Sequence, residues 1–127
     1  MPQYRKLATK TLESFDFNGL GNDFSRLTWC LLPLVACREG RGIDISTWLI
    51  GRLYPLREDV TPAMIEAAMA DFAAHGMVMR YSVAGRRYFQ IVNWTRYQGA
   101  TDKEAPSPYP APELVESCAG VGRELVG

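Results

Sequence analysis

The chain has 127 residues, 47% apolar and 22% charged, with 14 basic against 14 acidic side chains. That is enough for one domain of about 100 residues plus a tail, and the balanced charge argues against a strong, uniform attraction to nucleic acid. The longest apolar run, residues 29–37, falls short of the roughly 18 to 20 residues of a membrane span and contains Pro33; the N-terminus lacks a secretory signal, so a soluble, cytoplasmic protein is expected.

Apolar residues recur at helical spacing over residues 23–39, with Phe24, Leu27, Leu31, Leu34 and Val35 as the expected inner face and a bend expected at Pro33. Residues 43–45 alternate like a very short strand. Ser46 is the expected N-cap of a second helix carrying Trp48, Leu49 and Leu53 and ended by Tyr54-Pro55. A charged loop, 56–60, leads to Thr61-Pro62, a cap followed by proline at the first helical position. Met64, Ile65, Ala68, Met69, Phe72 and Ala73 then mark a third helix, closed by Gly76. From there the period changes to 2: residues 77–83 and 86–92 read as a hairpin around Ala84-Gly85.

Two aromatics, Trp94 and Tyr97, follow the second strand, and proline recurs at 106, 108, 110 and 112. The domain is therefore expected over 1–98, with 99–127 as a proline-rich, acidic tail or linker in which 113–119 has the makings of a helical turn. Cys30 and Cys37 lie roughly 10 Å apart if they share a helix, too far to bridge. With Cys118 in the tail and His75 the one histidine, neither a disulfide framework nor a metal site is expected. Charge is segregated: residues 1–10 and 80–97 are basic without an acid, whereas 61–76 and the last thirty residues are acidic.

Helix, short strand, helix, helix, hairpin is the element order of a winged helix-turn-helix domain of the α+β class, with three helices and the 83–86 loop as the wing. Particular words carry a further likeness: Glu13-Ser14-Phe15-Asp16, the stretch 38–43, Leu53-Tyr54-Pro55, residues 73–81, residues 85–94 and Tyr97-Gln98 before a Ser-Pro tail. In these the chain resembles the small winged-helix domains of bacteriophages and prophages that open replication initiation or helicase-loading proteins. The resemblance covers about residues 4–110 and implies a role in DNA replication or its control. It leads us to expect a stand-alone version or one domain of a split system, since the length leaves no room for an attached helicase-loading domain.

The expected DNA-binding residues are Arg86 and Arg87 at the wing and Arg80 on the first strand, with Arg5, Lys6 and Lys10 as an N-terminal basic arm. The plainer reading is that these arginines are solvated strand ends, or that one pairs with Glu39 or Asp44. The third helix departs from the recognition-helix pattern, because its outward face, Ala63, Glu66, Ala67, Ala70 and Ala74, lacks Arg, Lys, Asn and Gln. Such a stripe lets another backbone approach, so a homodimer or a replication-partner contact is the alternative; equally, alanine simply favours helix.

The three tryptophans read as core rather than base-stacking platforms, and His75 as a residue favoured at a helix C-terminus. Residues 19–24 have Phe24 where a dinucleotide fingerprint needs its third glycine, and there is no P-loop lysine pattern. No serine or cysteine has a histidine and carboxylate constellation. Neither catalysis nor a cofactor is expected.

Overall fold

Polar caps and a proline set the first element boundaries in residues 3–112, the part of the chain that the computed structural model describes. A 3-10 turn, Thr9–Glu13, precedes a single-turn helix, α1 (Phe15–Asn18), which opens where the Ser14 hydroxyl accepts the Phe17 N–H at 3.1 Å. The next helix, α2 (Asp23–Leu31), opens at Asn22, whose side chain accepts the Ser25 N–H at 2.8 Å. The helix expected to run to residue 39 stops earlier. Pro33 has no N–H to give, so the chain tightens into a 3-10 turn, Leu32–Val35, and Ala36 is already extended at ψ 150. The proline ends this helix instead of bending it.

The inner face of α2 also differs from the expected one. Ser25, Thr28, Trp29 and Leu32 are buried at the i, i+3, i+4, i+7 spacing of one helix face, while Leu27 and Leu34 are exposed. A buried threonine is accommodated because its hydroxyl and that of Tyr54 hydrogen bond at 2.7 Å.

Strand β1 (Arg41–Ile43) lies two residues before the expected position. Gly42 faces Phe89 so closely that a Cβ there would come within 2.5 Å of the ring. Ile45 is extended and Ser46, the expected cap, becomes the first residue of α3 (Ser46–Leu53). The following helix, α4 (Pro62–Ala74), starts as expected: the Thr61 hydroxyl accepts the Met64 N–H at 3.3 Å and Pro62 occupies the first position. Strands β2 (Val78–Val83) and β3 (Arg86–Ile91) are joined by Ala84 at φ 54 and Gly85 at φ 79, the pair of left-handed residues that suits a two-residue hairpin. A last short helix, α5 (Trp94–Gln98), follows.

The architecture is thus α+β, with five helices and one antiparallel sheet of order β1-β3-β2 among the described residues. Alternation along the hairpin turns Val78, Phe89 and Ile91 toward the helices, where they meet Leu49 of α3 and Ile65, Met69 and Phe72 of α4. The Trp29 and Phe72 rings meet edge to face at 5.4 Å.

The other face of the sheet carries Tyr81 opposite Tyr88, and it is covered by the segment expected to leave the domain as a tail. The Tyr81 hydroxyl donates to the Pro110 carbonyl at 2.7 Å, and the Tyr88 and Tyr109 rings are 6.1 Å apart. The Cys37 thiol donates to the Ser107 hydroxyl at 2.9 Å, and Arg38 holds the carbonyls of Asp102 and Glu104, each at 3.0 Å. The boundary expected at 98 is therefore too early, because partners 29 to 70 residues away in sequence hold this strap in place. Cys118 and the helical turn expected at 113–119 lie outside the described residues. No helix among the described residues is long and apolar enough to cross a membrane.

Candidate nucleic-acid interface

The hairpin aims its two consecutive arginines away from each other. Arg87, opposite Ser82, belongs to the face that meets α4, and Arg86, opposite Val83, to the face that carries Tyr88. Both are exposed, and among the described residues neither makes an ion pair or a side-chain hydrogen bond. They directly follow a turn of two small residues, Ala84 and Gly85, at the tip of the hairpin.

Arg80 has a different fate. Its Nε donates to Asp44 Oδ2 at 2.6 Å and its Nη2 to Asp44 Oδ1 at 3.1 Å, while Nη1 and Nη2 also donate to the two carboxylate oxygens of Glu66 at 2.9 and 2.8 Å. Asp44 is buried, which makes Arg80 the compensation for its charge. The hydrogen bonds to Glu66 and then Asp44 push the Arg80 pKa further up against desolvation, and Arg80 holds the Glu66 carboxyl below its ordinary value. Arg80 is therefore a brace between β1, α4 and the hairpin, and the expectation that it contacts DNA is corrected. Of the two acids offered as its partners in the sequence, Asp44 is the one that pairs; Glu39 pairs with Arg38 at 3.1 Å.

Arg5 is corrected for the same reason. Its side chain is 5% exposed and makes a bidentate pair with Glu104 at 2.6 and 2.9 Å. It also donates to the carbonyls of Pro33 and Ala36 at 3.3 and 3.1 Å, and lies 4.9 Å over the Trp94 ring. Lys6 is pinned through its backbone, whose N–H and carbonyl both bond the Gln98 side chain, at 2.9 and 2.8 Å. The N-terminal segment is thus docked rather than a free arm. Lys6 and Lys10 remain exposed, but they border residues 76–77 and 91–98, at the end of the hairpin away from the wing. The length of β3, roughly 15 Å, separates the two basic groups, so the single basic surface expected from the sequence is split.

On α4, Ala63, Glu66, Ala67, Ala70 and Ala74 are all exposed, as the helical period required. Glu66, paired with Arg80, is not a free acid on that face. Trp29 and Trp94 are buried, the Trp94 Nε1 donating to the Arg38 carbonyl at 2.6 Å, whereas Trp48 is half-buried beneath the Arg52 guanidinium, 4.9 Å from the ring centre. His75 ends α4 with Nδ1 3.0 Å from the Asp71 carbonyl. Among the described residues no cluster of three or more His, Cys, Asp or Glu side chains is arranged to hold a metal.

No family model, no curated protein and no solved structure matches the chain.

Proposed function

We propose that this chain is a winged-helix domain that binds duplex DNA with little sequence preference, in the service of phage DNA replication or its control, in the cytoplasm. The carrying observation is the pair Arg86 and Arg87, exposed and making no ion pair among the described residues, on opposite faces of β3 directly after the hairpin turn. Support for the winged helix comes from the order α2, β1, α3, α4, β2, β3 and from an edge strand β1 paired to β3. Support for replication comes from the likeness of residues 38–43, 73–81 and 85–94 to phage replication domains.

The proposed mode follows from what α4 lacks. A helix face of four alanines and a neutralised glutamate offers no bidentate partner for a base edge, so the wing does the binding through phosphates or the minor groove. Two phosphate contacts predict a slope of log affinity against log salt of about −1.8, shallow for a DNA-binding protein. Fluorescence anisotropy on random-sequence duplexes across a salt series tests this. Absence of binding at low salt, or binding unchanged in the Arg86→Glu/Arg87→Glu protein, overturns the reading.

The exposed Ala63, Ala67, Ala70 and Ala74 support a second reading, in which α4 docks a replication partner and the DNA contact is lost. In that reading Ala67→Arg abolishes partner binding and the wing substitutions leave it intact.

A further inference from the structure

At the end of the hairpin away from the wing, the described residues leave large apolar side chains uncovered. A groove of about 610 Å³ lies between residues 6–17 and α5, with the buried rings of Trp29 and Trp94 and the Met77 side chain in its lining. Phe15 on this groove is 95% exposed, Leu7 59% and Tyr97 41%, and Leu12, 81% exposed, belongs to the 3-10 turn that forms one wall. These four side chains present on the order of 500 Å² of surface, a large part of the about 800 Å² per partner that a stable interface buries, and the groove lining adds to it. Monomeric domains seldom leave so large an apolar patch in water.

The charges around the groove identify the occupant. Lys6, Lys10 and Arg96 share it with Glu13 and Asp16, and none of the five is ion-paired among the described residues. A polyanion meets two carboxylates here and a strongly basic segment meets three cations. A surface carrying this same mixed set meets complements for both signs. A two-fold interface also requires one surface to hold both the projecting group and the hollow that receives it. Phe15 beside an apolar groove meets that requirement.

We propose that this groove is a homodimer interface, filled by residues 7–17 and α5 of a second copy of the chain. The interface lies on the opposite end of the domain from Arg86 and Arg87, so the dimer leaves both wings open. It is also distinct from the alanine face of α4, and its failure would leave the DNA reading untouched.

Sedimentation velocity of the full chain, from about 1 to about 200 μM, tests the proposal. The wild-type protein is expected to shift from monomer to dimer across that range. Phe15→Asp and Tyr97→Lys, one on each wall, are each expected to weaken the dimer at least about 100-fold and sediment as monomers, while melting at the wild-type temperature at about 1 μM, where the wild-type protein is itself monomeric. Ala67→Arg is expected to leave the dimer unchanged. A wild-type protein that stays monomeric, a dimer that survives either groove substitution, or one abolished by Ala67→Arg each overturns the assignment.

Discussion

Arg80 and Arg87 stand on the same face of one hairpin, two rungs apart and opposite Phe89 and Ser82, yet one is a structural brace and the other an exposed cation without an ion pair among the described residues. What separates them is the position of carboxylates that come from elsewhere in the chain. The turn after β1 brings Asp44 under Arg80, and the second turn of α4 brings Glu66 beside it, whereas Arg87 lies two rungs further toward the tip, within electrostatic reach of Glu66 but ion-paired with neither acid. Arg5 repeats the pattern of Arg80, with Glu104 arriving from the strap 99 residues away. An arginine is available to a ligand only where the fold leaves its guanidinium without an internal acid.

Removing the braces is the strongest test of that contrast. Arg80→Ala strands the buried Asp44 carboxylate and is expected to destabilise the protein by about 3 kcal/mol, read as a lower urea midpoint; a loss under about 1 kcal/mol breaks the distinction between brace and free cation. Arg5→Ala is expected to destabilise by about 2 kcal/mol and to speed amide exchange across residues 101–110, because it cuts the pair to Glu104 and frees the carbonyls of Pro33 and Ala36. Exchange unchanged in the strap would mean that Arg38 and the tyrosines hold it without Arg5.

Reversing the wing charges should do the opposite. Arg86→Glu/Arg87→Glu is expected to change stability by less than about 0.5 kcal/mol while duplex affinity falls at least tenfold, or about 1.4 kcal/mol. Equal losses of stability and binding would place the wing among the braces. The smallest effect is in acid. Arg80 holds the Glu66 carboxyl below its ordinary value of 4.5, so the folded form releases that proton more readily than the unfolded chain. The stabilisation is present above about pH 4.5 and fades as pH falls through the lower folded value. Because Glu66 is 56% exposed, solvent screening keeps the contribution below about 1 kcal/mol, and Glu66→Gln should flatten that part of the stability profile.

Local chemistry made much of the fold legible. Thr61-Pro62 announces α4, and the spacing of Ile65, Ala68, Met69 and Phe72 identifies its buried face, because cap and periodicity act within a few residues. Ala84-Gly85 locates the hairpin turn. Pro33 was harder to read: the same residue bends a helix or ends it according to what packs around it; Leu34 lies past the helix end, and Leu27 lies off the face that buries Ser25, Thr28 and Trp29. The groove residues Leu7, Leu12 and Phe15 left a faint signal, three large apolar side chains in a stretch without regular periodicity, which offers no core face to assign them to.

The sequence by itself determined α3, α4, the hairpin, the α+β class and the alanine face of α4, since each depends on contacts between near neighbours in the chain, whereas α1, α5 and the end of α2 were not legible. Tertiary structure alone decided which arginines are free, that residues 101–110 cover the sheet, and that the basic residues form two groups rather than one. Those outcomes rest on pairs such as Arg5 with Glu104, Cys37 with Ser107 and Arg80 with Asp44, whose partners lie 36 to 99 residues apart. Composition counts such charges and hydroxyls without saying which of them meet.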